Sequence, residues 1–139
     1  MKTYYDKDAD LKLLKNKTVG IIGYGSQGHA HAQNLRDSGV RVIISELPGT
    51  ANYKLAVAHG FKPVTAAALA QKAEIIQLLV PDELHARVYA AAVEPEMKKG
   101  KTLVFSHGFN IHYGQIVPPP TVDVIMIAPK GPGHTVRGE

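Results

Sequence analysis

The sequence contains no cysteine and no tryptophan. Without thiols there is no disulfide framework, no thiolate metal site and no cysteine nucleophile. That pattern fits a reducing cytoplasm. Aromatic residues are 6% of the chain, too few to interleave a stacking platform with a basic stripe, so nucleic acid is a poor second among partners. No apolar run approaches the roughly 20 residues of a membrane span. The start, MKTYYDKDADLKLLKNK, lacks the apolar region of a signal peptide. No H-E-x-x-H or similar spacing links the 7 histidines, so none is a metal-ligand candidate. Repeats and low-complexity segments are absent. The 16 Lys and Arg are scattered, and a net charge of +4 describes a mildly basic, solvated surface that suits an anionic small molecule.

What is present is an ordinary globular composition, 45% hydrophobic and 20% charged over 139 residues, and residues 1–139 read as one domain. The stretch from Lys17 to Arg41, KTVGIIGYGSQGHAHAQNLRDSGVR, organises it. Val19, Ile21 and Ile22 give a buried strand. Gly23, Gly25 and Gly28 give G-x-G-x-x-G, followed by a helix from Ser26 to about Ser38 with Gly39 as its stop. In this motif the first glycine permits a tight turn, the second lets backbone approach a pyrophosphate, and the third lets helix pack on strand. The amides and positive dipole end of the helix complete an anion site. A bare motif is weak; strand before and helix after is the context it requires.

Further strands are expected at 40–45, 61–64, 74–80, 102–106 and 122–128. Helices are expected after Thr50, after Thr65 and from Asp82 through DELHARVYAAAV, with Thr50 and Thr65 as caps. Residues 1–16 read as an irregular or helical lead-in in which Asp10 caps a turn. Alternating strands and helices predict an α/β Rossmann-type, doubly wound, mostly parallel sheet with helices on both faces. Ligands of such sheets bind at the carboxyl ends of strands. That rule selects the loops Tyr24–Gln27, Glu46–Asn52, Asp82–His85, His107–Asn110 and Lys130–Gly133.

These loops carry a resemblance. GYGSQGHAHAQNLRDSG, LLVPDE, FSHGFNIHYGQIVPP and VDVIMIAPKGPGHTVR are similar to ketol-acid reductoisomerase. FSHGFNIH and APKGPGH carry the specificity of the match. The resemblance implies conversion of 2-acetolactate to 2,3-dihydroxy-3-methylbutanoate in valine and isoleucine biosynthesis, by a divalent-metal-assisted alkyl shift and then reduction by NAD(P)H. It implies that His107 and Lys130 are catalytic. It carries over cofactor contacts at Tyr24, Gly25, Ser26, Gln27, Asp82, Glu83, Leu84, His85 and Gly133. Read as residues alone, His107 is equally an ordinary loop histidine, Lys130 an ordinary surface lysine, and Asp82 a helix cap. Asp123 opens a strand and reads as structural.

Two departures from the family pattern matter. Members that use NADPH read G-L-R-x-G-S-x-S after the second strand; here the stretch is Ser45-Glu46-Leu47-Pro48-Gly49-Thr50-Ala51-Asn52. Leu47 replaces the arginine, and Thr50 and Asn52 stand at serine positions. Glu46 lies 23 residues after Gly23. An acid at about that distance accepts from a free ribose 2′-OH and repels a 2′-phosphate, so NADH preference is expected. Lys54, one helical turn on, is the nearest cation. The second departure is length. The family's helical domain supplies the acidic ligands for two Mg2+ ions, a substrate-holding serine and the subunit interface. No acidic pair in this chain stands in for them. The chain alone is therefore expected to lack the full reaction, and to self-associate or to partner the missing helical domain. Truncated product, split subunit and excised domain remain open. So do two other functions: a non-catalytic nucleotide-binding or interaction module, and a different small hydroxyacid dehydrogenase.

Overall fold

The computed structural model describes residues 2–138. Five strands, β1 (Thr18–Ile22), β2 (Arg41–Ser45), β3 (Ile75–Leu78), β4 (Thr102–Phe105) and β5 (Asp123–Met126), form one parallel sheet in the order β2-β1-β3-β4-β5. The chain runs outward from β1 to β2, then returns to lay β3 on the other side of β1. That reversal is the topological switch point, where two crossovers leave in opposite directions and open a crevice. The helices are α1 (Ser26–Asp37), α2 (Ala51–Ala58), α3 (Ala66–Lys72), α4 (Asp82–Val88), α5 (Phe109–His112) and α6 (Gly133–Gly138).

β1 is buried on both faces, as its near-continuous apolar run requires in a parallel sheet. Val19 and Ile21 join Ala32 of α1, Ala56 of α2 and Phe61 on one face. Ile22 joins Leu69 of α3, Leu78, Val93 and Leu103 on the other. Leu69 is fully buried, which contributes about 1.5–3 kcal/mol. Its close approach depends on Gly20, where an added Cβ would stand 2.3 Å from Leu69 Cδ2. Thr50 Oγ1 accepts from the Tyr53 N–H and Thr65 Oγ1 from the Ala68 N–H, so both caps form as expected. Each stabilises its helix by about 1 kcal/mol. Asp10 likewise accepts from the Lys12 N–H and caps a short 3₁₀ turn.

Three elements differ from expectation. Residues 61–64 do not form a strand; a single parallel bridge joins Val64 to Ser45. Pro63 has no N–H for a ladder, and Phe61 turns into the α1–α2 core. The helix from Asp82 ends at Val88 and continues as one π turn, Tyr89–Val93, then a 3₁₀ turn, Glu94–Glu96. Pro95 removes an amide and its ring crowds the carbonyl four residues back, which widens the turn ahead of it. Finally, the closing PKGPGHTVRGE, for which the sequence predicted no element, contains α6. No described helix is long and apolar enough to cross a membrane.

Candidate functional site

The switch point opens into a cleft of about 820 Å³ at the carboxyl ends of β1, β2 and β3. The β1–α1 turn forms one wall, and its three glycines have three different environments. Gly23 has φ 103°, and an added Cβ would lie 2.8 Å from the backbone of Leu79 and Val80. At Gly28 the Cβ would lie 2.1 Å from the Gly23 carbonyl oxygen. At Gly25 nothing stands within 4 Å. Two glycines are thus required by the protein's own packing. The third leaves open space at the N-cap of α1, where no side chain takes the first-turn amides. Free amides at a positive dipole end make an anion site.

Glu46 leaves the end of β2 and spans to the turn. Its Oε2 accepts from the Tyr24 N–H at 2.8 Å and its Oε1 from the Leu47 N–H at 2.9 Å. Both oxygens are fixed by bonds to the charged form. Each keeps a lone pair for a donor in the cleft. Leu47 is 72% exposed and lines the cleft with Pro48, Asn52 and Tyr53. Opposite them stand Pro81, Leu84, Arg87 and Val88.

Of the residues expected to contact a cofactor, Gly23, Gly25, Ser26, Glu46, Leu47, Asn52 and Leu84 line this cleft. Tyr24 does not. Its side chain is fully buried and its hydroxyl lies 3.0 Å from His59 Nδ1; burial pushes the phenol up to about 12. It is a core residue that gives the site only its backbone. His85 is also a correction. It is 2% exposed, with Nε2 at 2.7 Å from the Val80 carbonyl and its ring against Phe105. Thr50 spends its hydroxyl on the Leu47 carbonyl and the Tyr53 amide. Gly28 is a packing contact, as above. Asp82 and Glu83 open α4 outside the cleft, and Asp82 turns toward His107.

Gln27 lies under a second segment, to which Gly133 belongs. Gln27 Nε2 donates to the Gly131 carbonyl at 2.9 Å, and the Gly133 N–H donates to Ser26 Oγ at 3.1 Å. A Cβ at Gly133 would stand 1.6 Å from the Ser26 carbonyl oxygen. α6 then lies along α1. Asn34 donates to the Val136 carbonyl, and Arg137 binds both Asn34 and Asp37. The Arg137 guanidinium holds the Asp37 carboxyl below its usual range. Residues 131–138 therefore strap α1 along its length, from Ser26 to Asp37, outside the cleft.

His107 follows β4 and is 66% exposed, with Nδ1 3.3 Å from Asp82 Oδ2 and accepting from the Phe109 N–H. Buried Asn110 donates to the Asp82 carbonyl and ties this loop to the start of α4. Lys130 is exposed after β5. Both stand on the same carboxyl edge of the sheet as the cleft but outside its lining. Among the described residues no three His, Asp or Glu side chains come together as a metal site. Sequence reasoning missed Tyr53, Pro63, Val64, Arg87 and Val88 as lining residues. Helical spacing from Leu84 contains the signal for the last two, at i+3 and i+4.

Residues 13–139 match the family described as acetohydroxy acid isomeroreductase, NADPH-binding domain. A solved NADH-preferring ketol-acid reductoisomerase from an uncultured archaeon is 41% identical, with a TM-score of 0.91, covering 97% of this chain and 42% of that one. This chain thus spans well under half of that relative's length. More distant structures share the fold. A semialdehyde dehydrogenase NAD-binding protein from Cupriavidus necator is 20% identical, covering 79% of this chain and 40% of its own, with a TM-score of 0.70. A 3-hydroxyisobutyrate dehydrogenase from Mycobacterium tuberculosis is 16% identical, covering 84% of this chain and 42% of its own, with a TM-score of 0.67. The chain belongs to the acetohydroxy acid isomeroreductase, or ketol-acid reductoisomerase, family, of which it carries the NAD(P)H-binding domain.

Proposed function

We propose that the cleft holds NADH in preference to NADPH, and that the chain serves as the cofactor-binding part of a ketol-acid reductoisomerase acting on 2-acetolactate in branched-chain amino acid synthesis. The observation that carries the preference is the Glu46 carboxylate, fixed by the Tyr24 and Leu47 amides at the ribose end. Leu47 beside it supplies no charge for a 2′-phosphate. The solved relative described as NADH-preferring supports the same choice. Calorimetric titration of the purified chain with each cofactor tests it. Tighter binding of NADH is the expected result, and tighter binding of NADPH overturns the preference.

The residues fit the cofactor. The α1 amides at Gly25 and Ser26 take the pyrophosphate, and the Glu46 oxygens accept from the adenosine ribose hydroxyls. A bound nicotinamide supplies the reducing hydride. His107 and Lys130 act on the substrate side. His107 can move a proton at Nε2, the ring nitrogen left clear while Nδ1 accepts from the Phe109 amide. The Lys130 ammonium can hold a carboxylate or an oxygen that gains charge. The described residues do not fit a pair of Mg2+ ions, so we assign the metal ligands to the family's helical domain. The setting proposed is the cytoplasm, in keeping with a biosynthetic role. The chain alone is expected to show no turnover of 2-acetolactate with Mg2+, and to gain it when the helical domain is added in trans. A coupled cofactor-oxidation assay reads both.

β5 bears on partners. Val124, Ile125, Met126 and Ile127 are 41%, 45%, 62% and 51% exposed. An uncovered apolar strand at the sheet edge invites pairing. Concentration-dependent self-association is expected in sedimentation velocity, and Ile125→Lys with Met126→Glu is expected to reduce it. A clean monomer over a wide concentration range would count against this.

A further inference from the structure

Among the described residues two charged side chains line the cleft, from loops on either side of β1: Glu46 from the β2 loop and Arg87 from α4. The ion pairs of the described residues run between other groups, so the Arg87 guanidinium is not committed to a carboxylate. No hydrogen bond engages it either among the described residues. It is exposed, and it lines the cleft with Leu84, one helical turn before it, and with the adjacent Val88. Across the cleft the β2 loop presents Leu47 and Pro48. The adenosine end is therefore a slot with the mostly apolar Leu47, Pro48 and Tyr53 on one side, Leu84 and Val88 on the other, and Arg87 as its one planar cation among the described residues.

We propose that Arg87 is an adenine-binding residue: its guanidinium lies on the face of the base and closes the slot that Leu47, Pro48, Leu84 and Val88 form. This inference rests on the cleft being the dinucleotide site. Two chemistries compete for an arginine here, stacking on the base and pairing with a 2′-phosphate. The position of Glu46 favours stacking. It takes the ribose hydroxyls from the β2 side, which brings a 2′-substituent to the acid. Arg87, on the far wall between two apolar neighbours, meets what lies beyond the ribose. Guanidinium is flat, weakly hydrated and suited to an aromatic face. Stacking of a desolvated cation on a π system is worth about 0.5–2 kcal/mol.

The test compares wild type, Arg87→Ala and Arg87→Lys in titrations with NADH, NADPH and reduced nicotinamide mononucleotide, which has no adenine. The proposal expects Arg87→Ala to weaken NADH and NADPH by the same factor, roughly 2- to 30-fold. Arg87→Lys recovers only part of it. Mononucleotide binding stays unchanged, as does the melting temperature, because the side chain is exposed. A loss confined to NADPH makes Arg87 a phosphate contact and overturns stacking. An equal loss with the mononucleotide places its effect elsewhere in the site and also overturns it. No loss with any ligand leaves Arg87 a surface residue. Failure of the wild type to bind either dinucleotide is a different result, and it removes the cofactor site itself.

Discussion

Gly25→Ala is expected to fold normally and to lose most of its NADH affinity. The backbone at Gly25 is extended, with φ −74°, a conformation open to alanine. The added methyl meets no protein atom within 4 Å. It projects instead into the space where a pyrophosphate would approach the α1 amides. A methyl there holds the phosphates away from their donors. Loss of one charge-assisted hydrogen bond, at about 1.5–3 kcal/mol, lowers affinity by roughly 10- to 150-fold. Gly28→Ala is the control with the opposite signature. Its methyl would stand 2.1 Å from the Gly23 carbonyl oxygen, so α1 must shift away from β1. Overpacking against backbone costs about 1–3 kcal/mol. Urea unfolding separates the two variants. An unchanged midpoint for Gly25→Ala together with undiminished NADH binding would remove the pyrophosphate from this turn.

Glu46→Ser combined with Leu47→Arg is expected to reverse cofactor choice. The substitution removes the acceptor proposed for the ribose hydroxyls and a charge that would repel a 2′-phosphate. The arginine then supplies a cation beside it. The ratio of NADH to NADPH affinity is expected to change by at least about 100-fold, near 3 kcal/mol. There is a structural cost that the loop sequence alone does not reveal. Glu46 is also the acceptor for the Tyr24 and Leu47 amides. A serine is too short to serve both, so the double variant is expected to melt a few degrees lower as well. Glu46→Gln isolates the charge: it is expected to weaken NADH without strengthening NADPH, because no cation has been added. Retained NADH preference in the double variant would take Glu46 out of the recognition.

Much of the fold was legible because its signals are local. Thr50 and Thr65 announce their helices, Gly39 and Gly60 end theirs with φ 82° and 85°, and the β-branched runs lie where the strands are. What local signals missed depended on partners. Residues 61–64 have strand composition, yet only Val64 reaches a neighbour. α6 begins at a glycine after Gly-Pro, and its stability comes from lying along α1. The site was legible as loops and less so as side chains. Adjacent residues of one motif point in different directions. Tyr24, next to Gly25, turns into the core, and His85, next to Leu84, turns under β3. Arg87 and Val88 lie past the recognisable loop and face the cleft only because a helix returns them to it. A motif names a stretch of chain, whereas a ligand meets a surface assembled from four stretches.

The strap over α1 has a consequence for how the chain is built. Its hydrogen bonds join residues 102 to 107 positions apart, among the longest loops this chain can close. Closure entropy grows only slowly with loop length, but it must be met before the contacts compensate for it. The sheet between the two ends meets that cost by bringing Gly131–Gly133 beside Ser26. The glycine turn is thus held from two directions at once: by the neighbouring strand ends that pack against Gly23 and Tyr24, and by a segment about a hundred residues further along that bonds to Ser26 and Gln27.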